Sequence, residues 1–233
     1  MSAFFDKNSH QSAFADHEKG VLMTNPTELN ELETYWASLP RHNGVPLRKD
    51  VDPSEMGGLL ENSFILERVA PGVARFRVAG RNIGRLIGIE PRGLPITTAF
   101  VPQSRGALGL HLEAVFTSPG LMELNLEAPR AVGQPLLKGK ILMLPLRDEH
   151  GGVSRALGVL VMSGIRGIGG RRFAICDDAE PRFVPAHGLR AVVSNSTIDK
   201  PPHRPSLLPS KGVTTDRKKA GDSPALRLVV SNP

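Results

Sequence analysis

Apolar positions change their period along this chain, and each change marks an element. Leu29, Leu32, Trp36 and Leu39 recur at helical spacing behind Asn25-Pro26-Thr27-Glu28. There Asn25 can accept an amide hydrogen bond, Pro26 needs no donor at the first helical position, and Glu28 can reach back. Pro40 closes that helix. The same grammar at Asp52-Pro53-Ser54-Glu55, followed by Met56, Leu59 and Leu60, predicts a second, short helix ending near Glu61-Asn62.

From Ser63 the period falls to two. Ser63–Val69 and Arg75–Ala79 read as strands joined at Ala70-Pro71-Gly72. Asn82–Ile89 reads as a short helical stretch broken by Gly84 and Gly88. Ser104–Phe116 reads as a longer helix carrying Leu108, His111, Leu112, Val115 and Phe116 on one face. Three more strands follow Gly- and Pro-rich turns: Leu121–Glu127, Lys138–Arg147 and Ser154–Ile165. The unbroken apolar run Ala156–Met162 predicts a central strand buried on both faces. This order predicts an α+β domain with one five-stranded antiparallel sheet.

The flanks carry no sustained period. Residues 1–24 are expected to be a disordered N-terminus, residues 25–172 the domain, and residues 173–233 a disordered basic tail rich in Pro and Ser. Lys200-Pro201-Pro202-His203-Arg204-Pro205 suits an extended linker. Leu226–Val230 is a small apolar island, readable as an added strand or a docking segment. The net charge of +6 sits in the tail: residues 181–233 hold nine Lys/Arg against three Asp/Glu, while residues 28–180 hold eighteen against seventeen. The basic balance therefore does not argue for a nucleic-acid-binding fold. A single cysteine, Cys176, excludes an internal disulfide and fits a reducing compartment. No secretory leader pattern is present, and no apolar run approaches the roughly 20 residues of a membrane-spanning helix. The expectation is a cytoplasmic, soluble protein without membrane insertion.

Two strands, then helices, then three strands is an order similar to the PAS fold, and the residues themselves resemble one bacterial PAS family. The resemblance is carried by Tyr35-Trp36, Pro46-Leu47-Arg48, Asp50 with Asp52-Pro53, and the strand Phe64-Ile65-Leu66-Glu67. It continues through Arg75-Phe76-Arg77-Val78-Ala79-Gly80, Ile83-Gly84-Arg85-Leu86-Ile87-Gly88 and Ile141-Leu142-Met143-Leu144-Pro145-Leu146, and spans roughly residues 28–166. Ile96–Pro102 departs from the family's acidic-aromatic pattern. The resemblance implies a PAS-like five-stranded antiparallel sheet covered by helices, with N-terminal helices and a disordered C-terminal tail. It carries over no catalytic residue and leaves the cofactor unknown.

The resemblance also implies a ligand cavity lined by the long helix, an element that supplies an iron ligand in some haem-binding PAS proteins. His111 is the sharpest candidate there; the alternative is a core histidine satisfied by a carbonyl or water. Phe64, Leu66, Phe76, Val78 and Leu112 complete the expected ligand-binding set. No metal set is expected, because no pair of histidines has zinc-ligand spacing. Cys176 precedes Asp177-Asp178, whose charges should raise its pKa and blunt it as a nucleophile. Gly164–Arg172 has the composition of an anion-binding loop, or of a solvated strand exit. Gly133…Gly139-Lys140 has neither P-loop spacing nor the following Ser/Thr. Arg75, Arg77, Arg81 and Arg85 either meet an acidic partner or line a solvated sheet edge.

The resemblance implies a non-catalytic sensory or regulatory module for bacterial signalling. It would bind a small ligand, a protein partner or a second copy. Leu32, Tyr35, Trp36 and Leu39 are the expected interface; the alternative is packing onto their own sheet. A second reading is an adaptor that meets nucleic acid or an anionic surface through the tail, whose densest basic run, Arg217-Lys218-Lys219, lacks interleaved aromatics. An enzyme on this scaffold is the third reading. It lacks a nucleophile elbow or a Ser/His/Asp arrangement in the sequence.

Overall fold

A computed structural model describes residues 21–23 and 27–188. The strands are β1 (Val21–Met23), β2 (Ser63–Ala70), β3 (Val73–Ala79), β4 (Gly120–Ala128), β5 (Leu137–Arg147), β6 (Val153–Ile165), β7 (Ala174–Ile175) and β8 (Arg182–Pro185). The helices are α1 (Glu28–Ser38), α2 (Arg81–Ile87) and α3 (Arg105–Thr117). Five strands form the body of the sheet in the order β3-β2-β6-β5-β4, and every pairing is antiparallel. β1 extends the sheet along β6, while β7 and β8 share the far edge of β4.

The predicted central strand is β6. Ala156–Met162 are all buried, and alternate residues go to opposite faces. Ala156, Leu160 and Met162 join Leu108, Leu112, Val115 and Phe116 of α3 and Ile83 and Leu86 of α2. Leu157, Val159 and Val161 join Leu29, Leu32, Trp36 and Leu39 from the α1 segment. One sheet thus separates two cores: a helical face under α2 and α3, and an outer face under α1.

α1 is held by its aromatic pair. Trp36 is fully buried, and its Nε1–H donates to the Pro145 carbonyl at 2.8 Å. The Arg41 guanidinium lies 4.1 Å from the Trp36 ring centroid. The Tyr35 hydroxyl accepts from the Asp52 amide at 2.7 Å, which ties the helix to the next segment.

Three expectations need correction. The second helix is a pair of 3-10 turns, Pro53–Glu55 and Gly57–Glu61, with Asp52 capping Ser54 N at 2.8 Å. Gly57, at φ +48°, interrupts the turn, and threefold spacing buries Met56 and Leu59 while leaving Leu60 exposed. Second, residues 173–188 are part of the fold rather than the start of a disordered tail. Phe173 is fully buried, β7 pairs Leu126–Glu127, and β8 pairs Gly120–Glu123. Their short length and absent period hid them, because the edge of β4 supplies the order. Third, of the two readings of Gly164–Arg172 the anion cradle fails, while Ile165, Ile168, Gly169, Gly170 and Arg172 are exposed as in a solvated strand exit. The buried Arg171 donates to the carbonyls of Arg166, Ala128, Pro129 and Pro135 at 2.7–3.1 Å, so its donors are already engaged. The expectations for residues 1–20, 24–26 and 189–233, Leu226–Val230 included, fall outside the described residues.

Candidate functional site

The helical face should hold the ligand cavity, and the space between its aromatic side chains is nearly filled. Phe64, Phe76, Phe100 and Phe173, with Ile83, Ile96, Ala99, Leu126, Ile141 and Leu160, enclose about 10 Å³. That is marginal for one water, and the apolar walls offer it no partner. The filling is traceable to single residues. Phe64 lies opposite Gly158, and its ring occupies the space that a Cβ there would need. Phe76 meets Phe64 edge to face, with centroids 5.7 Å apart at 87°. Leu66 and Leu112 are buried in the same core but do not border the remaining void.

Val78 is not in this core. A bulge in β3 sets Ile65 opposite Val78 but Leu66 opposite Phe76, so Arg77 is the extra residue. The bulge turns Val78 to the side of Ile65, the outer face, where it is 54% exposed. Strict alternation from Phe76 had placed it inside. Arg75 and Arg77 converge on Glu67. Arg75 Nε donates to Glu67 Oε2 at 2.9 Å and Arg77 Nη2 to Oε1 at 2.7 Å; Arg155 Nη2 lies 2.8 Å from Oε1. Hydrogen bonds from Arg77 and Arg75, with the charge of Arg155, hold the Glu67 carboxyl below the usual carboxylate range despite its burial. Arg81 pairs with Glu61. Arg75, Arg77 and Arg81 thus have acidic partners inside their own chain.

The expected interface set is also internal. Leu32, Trp36 and Leu39 are buried on the outer face, and Tyr35 is half-buried against Asp52. Helical spacing showed that one face of α1 is apolar, but not what covers it.

His111 lies at the flank of the buried face of α3, outside the closed interior. Leu108, Leu112 and Val115 take the core, while His111, half-buried, borders an outer groove of about 610 Å³. One wall is Val101, Gln103, Ser104, Ala107 and His111. The other runs from Ala174 to Pro181 and includes Cys176, Asp177 and Glu180. Sequence reasoning missed Asp177, Glu180 and Ile175 because their segment read as tail. His111 makes no hydrogen bond or ion pair among the described residues, and burial pushes its pKa down. Burial first, then Asp178 and Glu127, push the Cys176 thiol up, so it is a protonated, weak nucleophile. Among the described residues no group of three His, Cys, Asp or Glu side chains is placed to hold a metal ion. Nor is any helix there long and apolar enough to cross a membrane.

Residues 23–161 match a family described as PAS domain. The chain belongs to this PAS family. The match takes in α1, the two 3-10 turns, α2, α3 and the strands from β2 into β6, and stops short of the segment that forms the second groove wall. Among solved structures, the PAS domain is similar to one described as the light state structure of the blue-light photoreceptor Aureochrome1 LOV. The two are 17% identical with a TM-score of 0.33, over 49% of this chain and 89% of that one. No curated protein matches this PAS domain in sequence. Its coarse role is that of a sensory PAS domain.

Proposed function

We propose that this PAS domain is a non-catalytic regulatory module that binds a small ligand, a protein partner, or both, and relays binding through the seating of α1. The observation that carries the reading is the placement of α1. The helix covers the outer face of the sheet whose other face packs α3, and it is fixed there by the Trp36–Pro145 hydrogen bond. Binding that favours one seating of α1 over another shifts a population without any chemistry. The lone thiol of Cys176 fits a reducing, cytoplasmic setting, and the resemblance to a bacterial PAS family extends the proposal to bacterial signalling.

Trp36 is the single tryptophan of the chain, so its emission reports on α1 alone. A binder of the full-length protein is expected to shift Trp36 emission and to change hydrogen exchange of the α1 amides. A binder that saturates the protein while α1 exchange and Trp36 emission stay fixed rejects the relay.

A further inference from the structure

The groove between α3 and the Ala174–Pro181 segment has the size, rigidity and charge of a ligand site, and the closed interior has not. Its volume of about 610 Å³ falls in the range of small-molecule sites, about 300–1,000 Å³. Its second wall is pinned on both flanks. Phe173 N–H donates to Ala99 O at 2.8 Å, Val101 N–H donates to Phe173 O at 2.9 Å, and Ile175 N–H donates to Ser104 Oγ at 3.1 Å. Cys176 N–H donates to Asn125 O at 2.9 Å on the β4 side. Among the described residues no Lys or Arg borders the groove, whereas Asp177 and Glu180 do, both exposed. The half-buried His111 imidazole lies between rim and floor without a partner among the described residues, and Val101, Ala107 and Ile175 supply apolar walls.

We propose that this groove binds a small amphipathic cation, an amine on an apolar body, with Asp177 and Glu180 holding the ammonium and His111 accepting one of its N–H bonds. An anion would face two carboxylates. A purely apolar molecule would leave the imidazole unsatisfied. The inference rests on the sensory reading of the domain and names the ligand class for it. It assigns the site to a segment beyond the family match, away from the interior.

A matched set of probes on the full-length chain tests it: phenethylamine, the alcohol 2-phenylethanol and phenylacetate, followed by NMR chemical shifts and titration calorimetry. The amine is expected to saturate a single site that shifts His111 and the Ala174–Pro181 amides. It should bind about tenfold or more tighter than the alcohol, with no saturable binding of the carboxylate. Asp177→Asn with Glu180→Gln should weaken the amine about tenfold or more while leaving the melting temperature in place, since both side chains are exposed. His111→Leu should weaken the amine as well. Equal binding of amine and alcohol overturns the proposal, as does amine binding indifferent to both variants. Amine bound in the groove with α1 exchange unchanged upholds the site and rejects the relay. No saturable amine binding, with α1 still answering another binder, rejects the site and leaves the relay standing.

Discussion

Glu67 is one carboxylate among three guanidiniums, and its surroundings decide what acid does to the fold. Its side chain is 11% exposed, while those of Arg75, Arg77 and Arg155 are 42%, 49% and 26% exposed. The carboxyl pKa is lowered in the folded state. Its stabilisation is therefore fully present above the unfolded value, about 4.3, and is lost as pH falls through the lower folded value. Glu67→Gln should remove that dependence. At neutral pH it should cost about 1–3 kcal/mol, less than a fully buried pair because two of the guanidiniums keep access to water. Urea unfolding of both proteins at neutral pH and at a series of pH values below 5 checks this; parallel acid slopes would reject it. The neighbouring β3 positions make a second contrast. Phe76→Ala should cost about 3–5 kcal/mol, because the ring is buried against Phe64, while Val78→Ala should stay within about 0.5 kcal/mol. Sequence alternation could not separate the two, because the bulge at Arg77 is set by pairing with β2 and has no glycine or proline to announce it.

At the scale of elements, what was legible follows from periodicity, and what was not follows from neighbours. α1, β2, β3, α3 and the three long strands each carry enough apolar positions to declare their period and to bury a face of their own. The seating of α1 is a different matter. Its apolar stripe suits a partner, a second copy or its own sheet equally, and only the sheet's outer face, with Leu142, Leu144, Leu157 and Val159, decides. β7 and β8 are 2 and 4 residues long and exist through the exposed edge of β4. His111 was found because it stands in an apolar helix face, but its direction depends on which side of α3 the sheet takes. Trp36→Phe tests the seating. Ring packing is largely kept and the Nε1 donor to Pro145 O is lost, so a loss of about 1–2 kcal/mol in unfolding free energy is expected. Faster amide exchange should be confined to α1 and the residues up to Asp52. Uniform acceleration across the sheet would show that α1 does not move as a unit.

The whole molecule sets its own boundary at the C-terminal side, and truncation measures where it lies. We place the folded unit's end beyond Arg172, at Gly188 or later, since Phe173 closes the interior and β8 bonds to Gly120–Glu123. A chain ending at Arg172 loses a fully buried aromatic, worth about 3–5 kcal/mol, from a fold whose total stability is of order 5–15 kcal/mol. It also bares the edge of β4, a strand with Leu121, Leu124 and Leu126 in the cores. That chain should melt well below the full-length protein and self-associate. A chain ending at Gly188 should keep the melting temperature within about 3 °C. The two ends also separate charge from fold. Residues 189–233 hold eight of the chain's 29 Lys/Arg, so any salt-sensitive affinity for polyanions should leave with them, whereas amine binding in the outer groove should survive. Calorimetric melting and heparin-column retention of the two chains read both quantities. A Gly188-ended chain that melts like the Arg172-ended one would show that β7 and β8 do not close the fold by themselves, and would remove the physical basis for treating the basic stretch as separate from the sensor.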